Sequence, residues 1–203
     1  VYLLPSCKRQ LPHFHYPYQR PLKKHAGSLS ILFVGRIHPI KNPALLLNAL
    51  KGVEGDIRVS FVGLMENKEY WDECLQIIRS LQIETRVSYL GELPHAALES
   101  VVQNHHIFAL PTKGENFGHA IFEALSWGKP VLISDQTPWR GLMASNAGWD
   151  LKLDDLNGFT NAIKTATTWS QEEYNEWSKA AWNKANEAAD HSILKEQYKK
   201  IFS

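Results

Sequence analysis

Short apolar runs recur along the chain, and each is closed by a glycine, a proline or a polar residue. Such runs, bounded by turn-forming residues, are typical of buried strands. They lie at residues 30–34, 58–62, 86–90, 106–111, 131–134 and 148–151. The pattern therefore predicts six short strands spread over most of the chain.

Helix-like segments separate these runs. The helix-like segment at residues 66–82 has a clear apolar stripe at helical spacing, formed by Trp71, Cys74, Leu75, Ile78 and Leu81. The predicted helices cover residues 44–50, 66–82, 94–102, 118–128, 156–167, 171–189 and 191–203. This alternation predicts an α/β protein with a single domain, in which a parallel sheet is flanked by helices on both faces.

Helix start signals support two of these segments. Asn42 followed by Pro43 is a typical cap and first-turn pair, and Ser170 is placed to cap the helix at 171–189.

The segment 112–118 joins the strand at 106–111 to the next helix and contains two glycines. Glu115 precedes the helix, and Glu123 lies about one turn into it, on the face that carries His119. The free N–H groups at the start of a helix favour an anion. A pair of carboxylates beside an anion site predicts a ligand with both hydroxyls and phosphate.

A second loop carries basic residues at the end of the first predicted strand. Gly35, Arg36 and Lys41 follow residues 30–34. In open α/β sheets, ligands bind at the carboxyl ends of the strands. Both bases therefore lie where an anion is expected.

The run ENFGHAIFE at residues 115–123, followed by Ala124 and Leu125, resembles the donor-site motif of retaining nucleotide-sugar glycosyltransferases of family 4 (group 1). The Gly-Arg, four-residue, Lys-Asn pattern from Gly35 resembles the diphosphate loop of the same family. The resemblance implies a Rossmann-like domain over residues 28–203. This domain would be one half of a GT-B fold, the C-terminal half that binds the nucleotide sugar.

The resemblance also implies residue roles. Glu115 would hold hydroxyls of the donor sugar, Glu123 the ribose, and Arg36 and Lys41 the diphosphate, so Glu115, Arg36 and Lys41 form the catalytic set. The remaining substrate-binding residues, of which the last three would border the nucleobase, are Gly35, Asn116, Phe117, Gly118, His119, Ala120, Tyr89, Gly91 and Leu93. No cofactor or metal is expected, because the family needs none and the chain has no Asp-x-Asp motif. Residues 135–140 (DQTPWR) depart from the glycine-rich turn that the family often has there.

Charge and composition bear on the binding partners and the cellular location that we expect for this protein. The formal net charge of +1 does not suggest nucleic-acid binding. Eight bases precede the first acidic residue, Glu54, so the N-terminal quarter attracts anions. Residues 1–27 are interpreted as an interdomain connector, with a peripheral contact to anionic lipid or to a polyanionic acceptor as the alternative. Two cysteines, no apolar run of membrane-spanning length and no signal peptide favour a cytoplasmic protein, with the inner face of the membrane as the alternative location.

The functional prediction is the donor-binding half of an enzyme that transfers a sugar to a saccharide or lipid-linked acceptor, in polysaccharide or lipopolysaccharide synthesis. The alternatives are half of a nucleotide-sugar epimerase and a non-catalytic nucleotide-binding module. A dinucleotide-dependent dehydrogenase is disfavoured, because no strand is followed by Gly-x-Gly-x-x-Gly. Since 203 residues cannot hold both domains, the acceptor is expected on a missing N-terminal domain and the isolated chain is expected to be inactive.

Overall fold

The strands form one sheet in the computed structural model, which describes residues 17–19 and 21–189. They are β1 (Ser28–Val34), β2 (Asp56–Val62), β3 (Thr85–Tyr89), β4 (Ile107–Leu110), β5 (Val131–Ser134) and β6 (Gly148–Leu151). All neighbouring strands in the sheet pair in parallel. The predicted parallel sheet is confirmed.

The connections between these strands are mostly helical. The described helices are α1 (Pro43–Leu50), α2 (Lys68–Arg79), α3 (His95–Gln103), α4 (His119–Ser126), α5 (Leu156–Thr168) and α6 (Gln171–Ala189). No helix in this part of the chain combines the length and apolar character that crossing a membrane requires. The predicted helix at 191–203 lies outside the described residues.

Apolar side chains of β1 point alternately to the two faces of the sheet. Ile31 packs in the main core, which also contains Leu47 of α1. Leu32 packs in a second cluster with Val62 of β2 and Val102 of α3. Helices therefore cover both faces, as predicted.

The strand order across the sheet is β3-β2-β1-β4-β5-β6. The chain first builds outward from β1 to β3, and then returns to place β4 on the other side of β1. The connections after β1 and β4 consequently leave the sheet on opposite sides, which opens a crevice at the carboxyl ends of these two strands. Such a switch point is where open α/β sheets bind ligands.

Two helix starts differ from the sequence prediction. Asn42 and Pro43 occupy the cap and first-turn positions of α1 as predicted, but Asn42 adopts a left-handed conformation, with φ of 56°, and its side chain makes no capping hydrogen bond. The predicted helix at 66–82 begins only at Lys68, because Asn67 is its cap and accepts a hydrogen bond from the amide of Tyr70 at 2.8 Å. The Ser170 cap is confirmed, since its hydroxyl accepts from the amide of Glu173 at 3.2 Å.

Two buried histidines have structural roles. His106 Nδ1 accepts from the amide of Ser30 at 2.9 Å, so Nε2 carries the proton and donates to the carbonyl of Lys23 at 3.1 Å. Burial lowers the pKa of His106 to about 4, which keeps this ring neutral at physiological pH. Burial also lowers the pKa of His105, whose ring lies between the Val101 carbonyl and the Ser60 hydroxyl.

The segment just before β1 packs against α5 and α6. The Lys24 ammonium is buried and donates to the carbonyls of His25, Thr167 and Trp169 at 2.9–3.2 Å, which satisfies the C-terminal end of α5. Nearby, the rings of Trp169 and Trp177 pack against each other at a tilt, with their centroids 4.8 Å apart.

Candidate functional site

The predicted site residues gather at the carboxyl edge of the sheet, on both sides of the switch point. One loop, residues 35–42, follows β1, and the other, residues 111–118, follows β4. Three hydrogen bonds hold the second loop: Lys113 N–H donates to the Ile40 carbonyl at 2.7 Å, and the Thr112 hydroxyl contacts the carbonyls of Ile40 and Gly114 at 3.1 and 3.0 Å. The two loops therefore form a single connected surface.

Lys41 and Glu115 meet across this surface. The Lys41 ammonium forms an ion pair with a carboxylate oxygen of Glu115. The two side chains are 15% and 19% exposed, so the pair is partly shielded from water. Partial burial makes each charge dependent on a partner. Two of the predicted catalytic residues are thus brought together.

Arg36, the third predicted catalytic residue, pairs with a residue that the sequence did not single out. Its Nη1 donates to both carboxylate oxygens of Glu66, at 2.9 and 2.7 Å. This pair is more open to solvent, with side chains 52% and 38% exposed. Glu66 lies in the loop after β2, at the same edge of the sheet, and that position was the only available signal for it.

The start of α4 is shaped by a turn at Gly118, which has φ of 78°. Residues with a side chain rarely adopt this backbone conformation, whereas glycine adopts it readily. As the first two residues of the helix, His119 and Ala120 have N–H groups without an acceptor inside the helix. Phe117 lies beside this turn, with its ring 4.8 Å from that of His119. The turn therefore presents amide donors where the sequence predicts an anion.

The segment that departs from the family's glycine-rich turn supports this loop. The Trp139 indole N–H donates to the Phe117 carbonyl at 2.7 Å, and the Glu115 amide donates to the Gln136 carbonyl at 3.0 Å. The Trp139 ring is buried against Phe122. No sequence pattern identifies these contacts, because they join residues from separate loops.

Glu123 lies on α4 and reaches across to α3. Its carboxylate is 3.3 Å from Nε2 of His95, the first residue of α3, and its side chain is 21% exposed. On the opposite side of α4, Ile121, Phe122 and Leu125 are buried. Glu123 therefore lines the crevice rather than the core.

The residues expected to border a nucleobase lie at the end of β3 and in the loop after it. The Tyr89 hydroxyl donates to the Gly63 carbonyl at 2.9 Å, and the Gly91 carbonyl accepts from the Gly63 amide at 2.8 Å. Leu93 packs beside the cluster of Leu32 and Val62. The hydroxyl of Tyr89 is thus occupied by the fold, while Gly91 and Leu93 stay on the same edge as the site.

Asn116 is exposed beside Glu115, and Gly35 lies where β1 leaves the sheet, with its amide bound to the Val62 carbonyl at 2.9 Å.

Within residues 17–19 and 21–189, no group of three or more His, Cys, Asp or Glu side chains could hold a metal ion. The chemistry available at the crevice is that of two cations, three carboxylates and the amides at the start of α4.

Comparisons with a family model and with curated proteins show what this chain is similar to. A family model described as "Glycosyl transferases group 1" matches residues 18–184. The chain is 29% identical over 154 residues to D-inositol 3-phosphate glycosyltransferase of Rhodococcus erythropolis, which covers 70% of this chain and 35% of that protein. It is 28% identical over 140 residues to phosphatidyl-myo-inositol mannosyltransferase of Mycolicibacterium smegmatis, covering 66% and 35%. The chain thus spans about a third of the length of these curated relatives.

Solved structures share the fold. Anabaena Alr3699/HepE, crystallised with UDP and glucose, superposes with a TM-score of 0.69 at 22% identity. The match covers 87% of this chain and 48% of that one.

Proposed function

This chain belongs to the glycosyl transferases group 1, and from that premise we propose that it is the donor-binding, C-terminal half of a retaining glycosyltransferase. In this proposal the whole enzyme moves a sugar from a nucleotide sugar to a saccharide or lipid-linked acceptor. The observation that carries it is the crevice between β1 and β4, which combines Arg36, Lys41 and the start of α4 with Glu115 and Glu123.

Charge development explains why these residues suit sugar transfer. The bond that breaks joins the anomeric carbon to a phosphate oxygen, so negative charge grows on the leaving diphosphate. Arg36, Lys41 and the amides of His119 and Ala120 would stabilise that charge electrostatically. We propose that these groups stabilise the leaving diphosphate without a metal ion.

The two glutamates would bind hydroxyl groups on either side of the diphosphate. Glu115 would accept hydrogen bonds from the donor sugar while its partner Lys41 turns toward phosphate, and Glu123 would accept from the ribose. The glycoside hydrolase mechanism, with one carboxylate as acid and the other as base, is not proposed. Both carboxylates are paired with cationic or hydrogen-bonding partners, as expected for binding groups.

The known relatives suggest which donor and which kind of acceptor to test. HepE was crystallised with UDP and glucose, which makes UDP-sugars the first donors to test. The relatives named for inositol phosphate and phosphatidylinositol are consistent with a hydroxylated acceptor. We propose that a second domain binds this acceptor. The whole enzyme would act at the cytoplasmic face of the membrane, in the synthesis of cell-surface polysaccharide.

A thermal-shift screen with UDP-, GDP- and ADP-sugars tests the donor role. Stabilisation by one series, with no shift from the corresponding nucleoside, is the expected result, because the phosphates supply the contacts to Arg36 and Lys41. We expect the isolated chain to show this binding without transfer, since one domain neither positions an acceptor nor excludes water. Transfer by the isolated chain at the rate of a full-length enzyme would contradict the half-enzyme proposal, and an acceptor-independent product from the full-length enzyme would select the epimerase alternative.

The Glu123→Gln variant is expected to bind nucleoside diphosphate about 5-fold more weakly, because a neutral amide accepts hydrogen bonds less strongly than a carboxylate. Calorimetric titration with the diphosphate and its 2′- and 3′-deoxy analogues provides the measurement. In the variant, removing a ribose hydroxyl should cost less affinity than in the wild type.

Glu187→Gln, an equal charge change at an exposed position of α6, is the matched control and should leave both values unchanged. If the deoxy analogues lose as much affinity in Glu123→Gln as in the wild type, Glu123 is not the ribose partner.

A further inference from the structure

Arg36, the most exposed cation of the proposed phosphate site, already holds an anion that belongs to the protein. Its Nη1 donates to both oxygens of Glu66, at 2.9 and 2.7 Å. Carboxylates and phosphates compete for the same guanidinium N–H donors. A diphosphate that binds Arg36 must therefore displace the Glu66 carboxylate from the guanidinium.

The backbone fixes Glu66 opposite Arg36. The Ile37 amide donates to the Leu64 carbonyl at 2.8 Å, and the Asn67 amide donates to the Ile37 carbonyl at 3.1 Å. Ile37 also forms an isolated parallel bridge with Met65, and its side chain is fully buried. Hydrogen bonds on both sides of Glu66 thus tie the loop after β2 to the loop after β1, so the pairing does not depend on two freely moving side chains.

We propose that Glu66 is an internal competitor for the donor's diphosphate at Arg36. The inference rests on the proposed function, because it assigns Arg36 to the diphosphate. While Glu66 holds Arg36, only a fraction of the molecules present a free guanidinium, and the apparent dissociation constant rises in inverse proportion to that fraction. A diphosphate still displaces Glu66, since it carries more charge and also reaches Lys41 and the start of α4.

Competition of this kind favours release of the product. The nucleoside diphosphate left after transfer has lost the contacts of the sugar, and Glu66 can recapture Arg36 as the phosphate moves away. Glu66 would thereby set the affinity and residence time of the nucleotide without touching the reacting atoms.

The test is titration of wild type and Glu66→Gln with UDP, or with GDP or ADP if the donor screen selects another base, at one fixed salt concentration. The variant should bind about 2- to 5-fold more tightly, the range set by the strength of an exposed ion pair, and dissociation should be slower. Glu69→Gln is the matched control, because Glu69 is exposed in the first turn of α2 and carries the same charge. It should change the affinity less than Glu66→Gln does.

A second set of variants shows whether the effect acts through Arg36. In an Arg36→Ala background, Glu66→Gln should no longer tighten binding. Weaker or unchanged binding by Glu66→Gln, a gain no larger than in Glu69→Gln, or a gain that persists without Arg36 would each overturn the inference. Thermal melting of every variant, with Glu66→Ala as a second substitution, shows that the comparison is made between folded proteins.

Failure of the inference differs from failure of the proposed function. If Arg36→Ala binds the diphosphate as the wild type does, the assignment of Arg36 to the phosphate is wrong. If Arg36→Ala binds weakly but Glu66→Gln brings no gain, the proposed function stands and only the competition is wrong.

Discussion

Replacing Arg36 with alanine is expected to weaken nucleoside diphosphate binding about 10- to 150-fold, which corresponds to about 1.5–3 kcal/mol for a charged hydrogen-bond donor. The guanidinium lies at the carboxyl end of β1, at the edge of the crevice. Its loss would remove the donor that we propose for the phosphate, and it also leaves Glu66 without its cation. An unpaired carboxylate beside the phosphate adds repulsion to the lost hydrogen bonds.

Calorimetric titration of the nucleoside diphosphate measures this change. Arg58→Ala is a matched control, because Arg58 also forms an exposed ion pair, with Asp56, but lies near the amino end of β2. It should bind as the wild type does. Equal affinities of Arg36→Ala and wild type would rule out the phosphate role, and equal losses in both variants would indicate only a general effect of charge.

The Gly63→Ala variant is expected to lower the free energy of unfolding by about 2–6 kcal/mol, from backbone strain and a steric clash together. Gly63 has φ of +137°, a conformation that side chains rarely adopt. A Cβ atom there would lie 2.2 Å from the carbonyl oxygen of Gly35. Because that oxygen belongs to the backbone where β1 leaves the sheet, relief of the contact requires β1 and β2 to separate at the edge that carries the site.

Urea unfolding followed by circular dichroism measures the loss of stability. Gly141→Ala separates strain from contact, because Gly141 also has a positive φ, of +66°, but a Cβ atom there would meet no atom within 4 Å. Its expected cost is about 1 kcal/mol. Equal stability of the two variants would mean that the backbone at Gly35 yields without cost.

Local patterns in the sequence determined the elements and the edge on which the site lies. Apolar runs of strand length and helical stripes encode which face of each element is buried, so the strands, the parallel sheet and the buried side of α4 could be predicted. Arg36, Lys41 and Glu115 could be placed at one edge, since each directly follows a predicted strand and the carboxyl ends of parallel strands share an edge. Asn42 occupies the predicted cap position, but its residue type did not reveal that its backbone is left-handed and that its side chain makes no capping hydrogen bond.

Only the tertiary structure decided which side chains meet. The pairs Arg36–Glu66, Lys41–Glu115 and His95–Glu123 join residues 30, 74 and 28 positions apart. Their contacts depend on the strand order β3-β2-β1-β4-β5-β6, which places the loop after β1 between those after β2 and β4. That order follows from how the whole core packs, and periodicity within one segment carries no information about it. The same reason explains why Trp139, from a segment with no recognisable motif, supports the turn before α4.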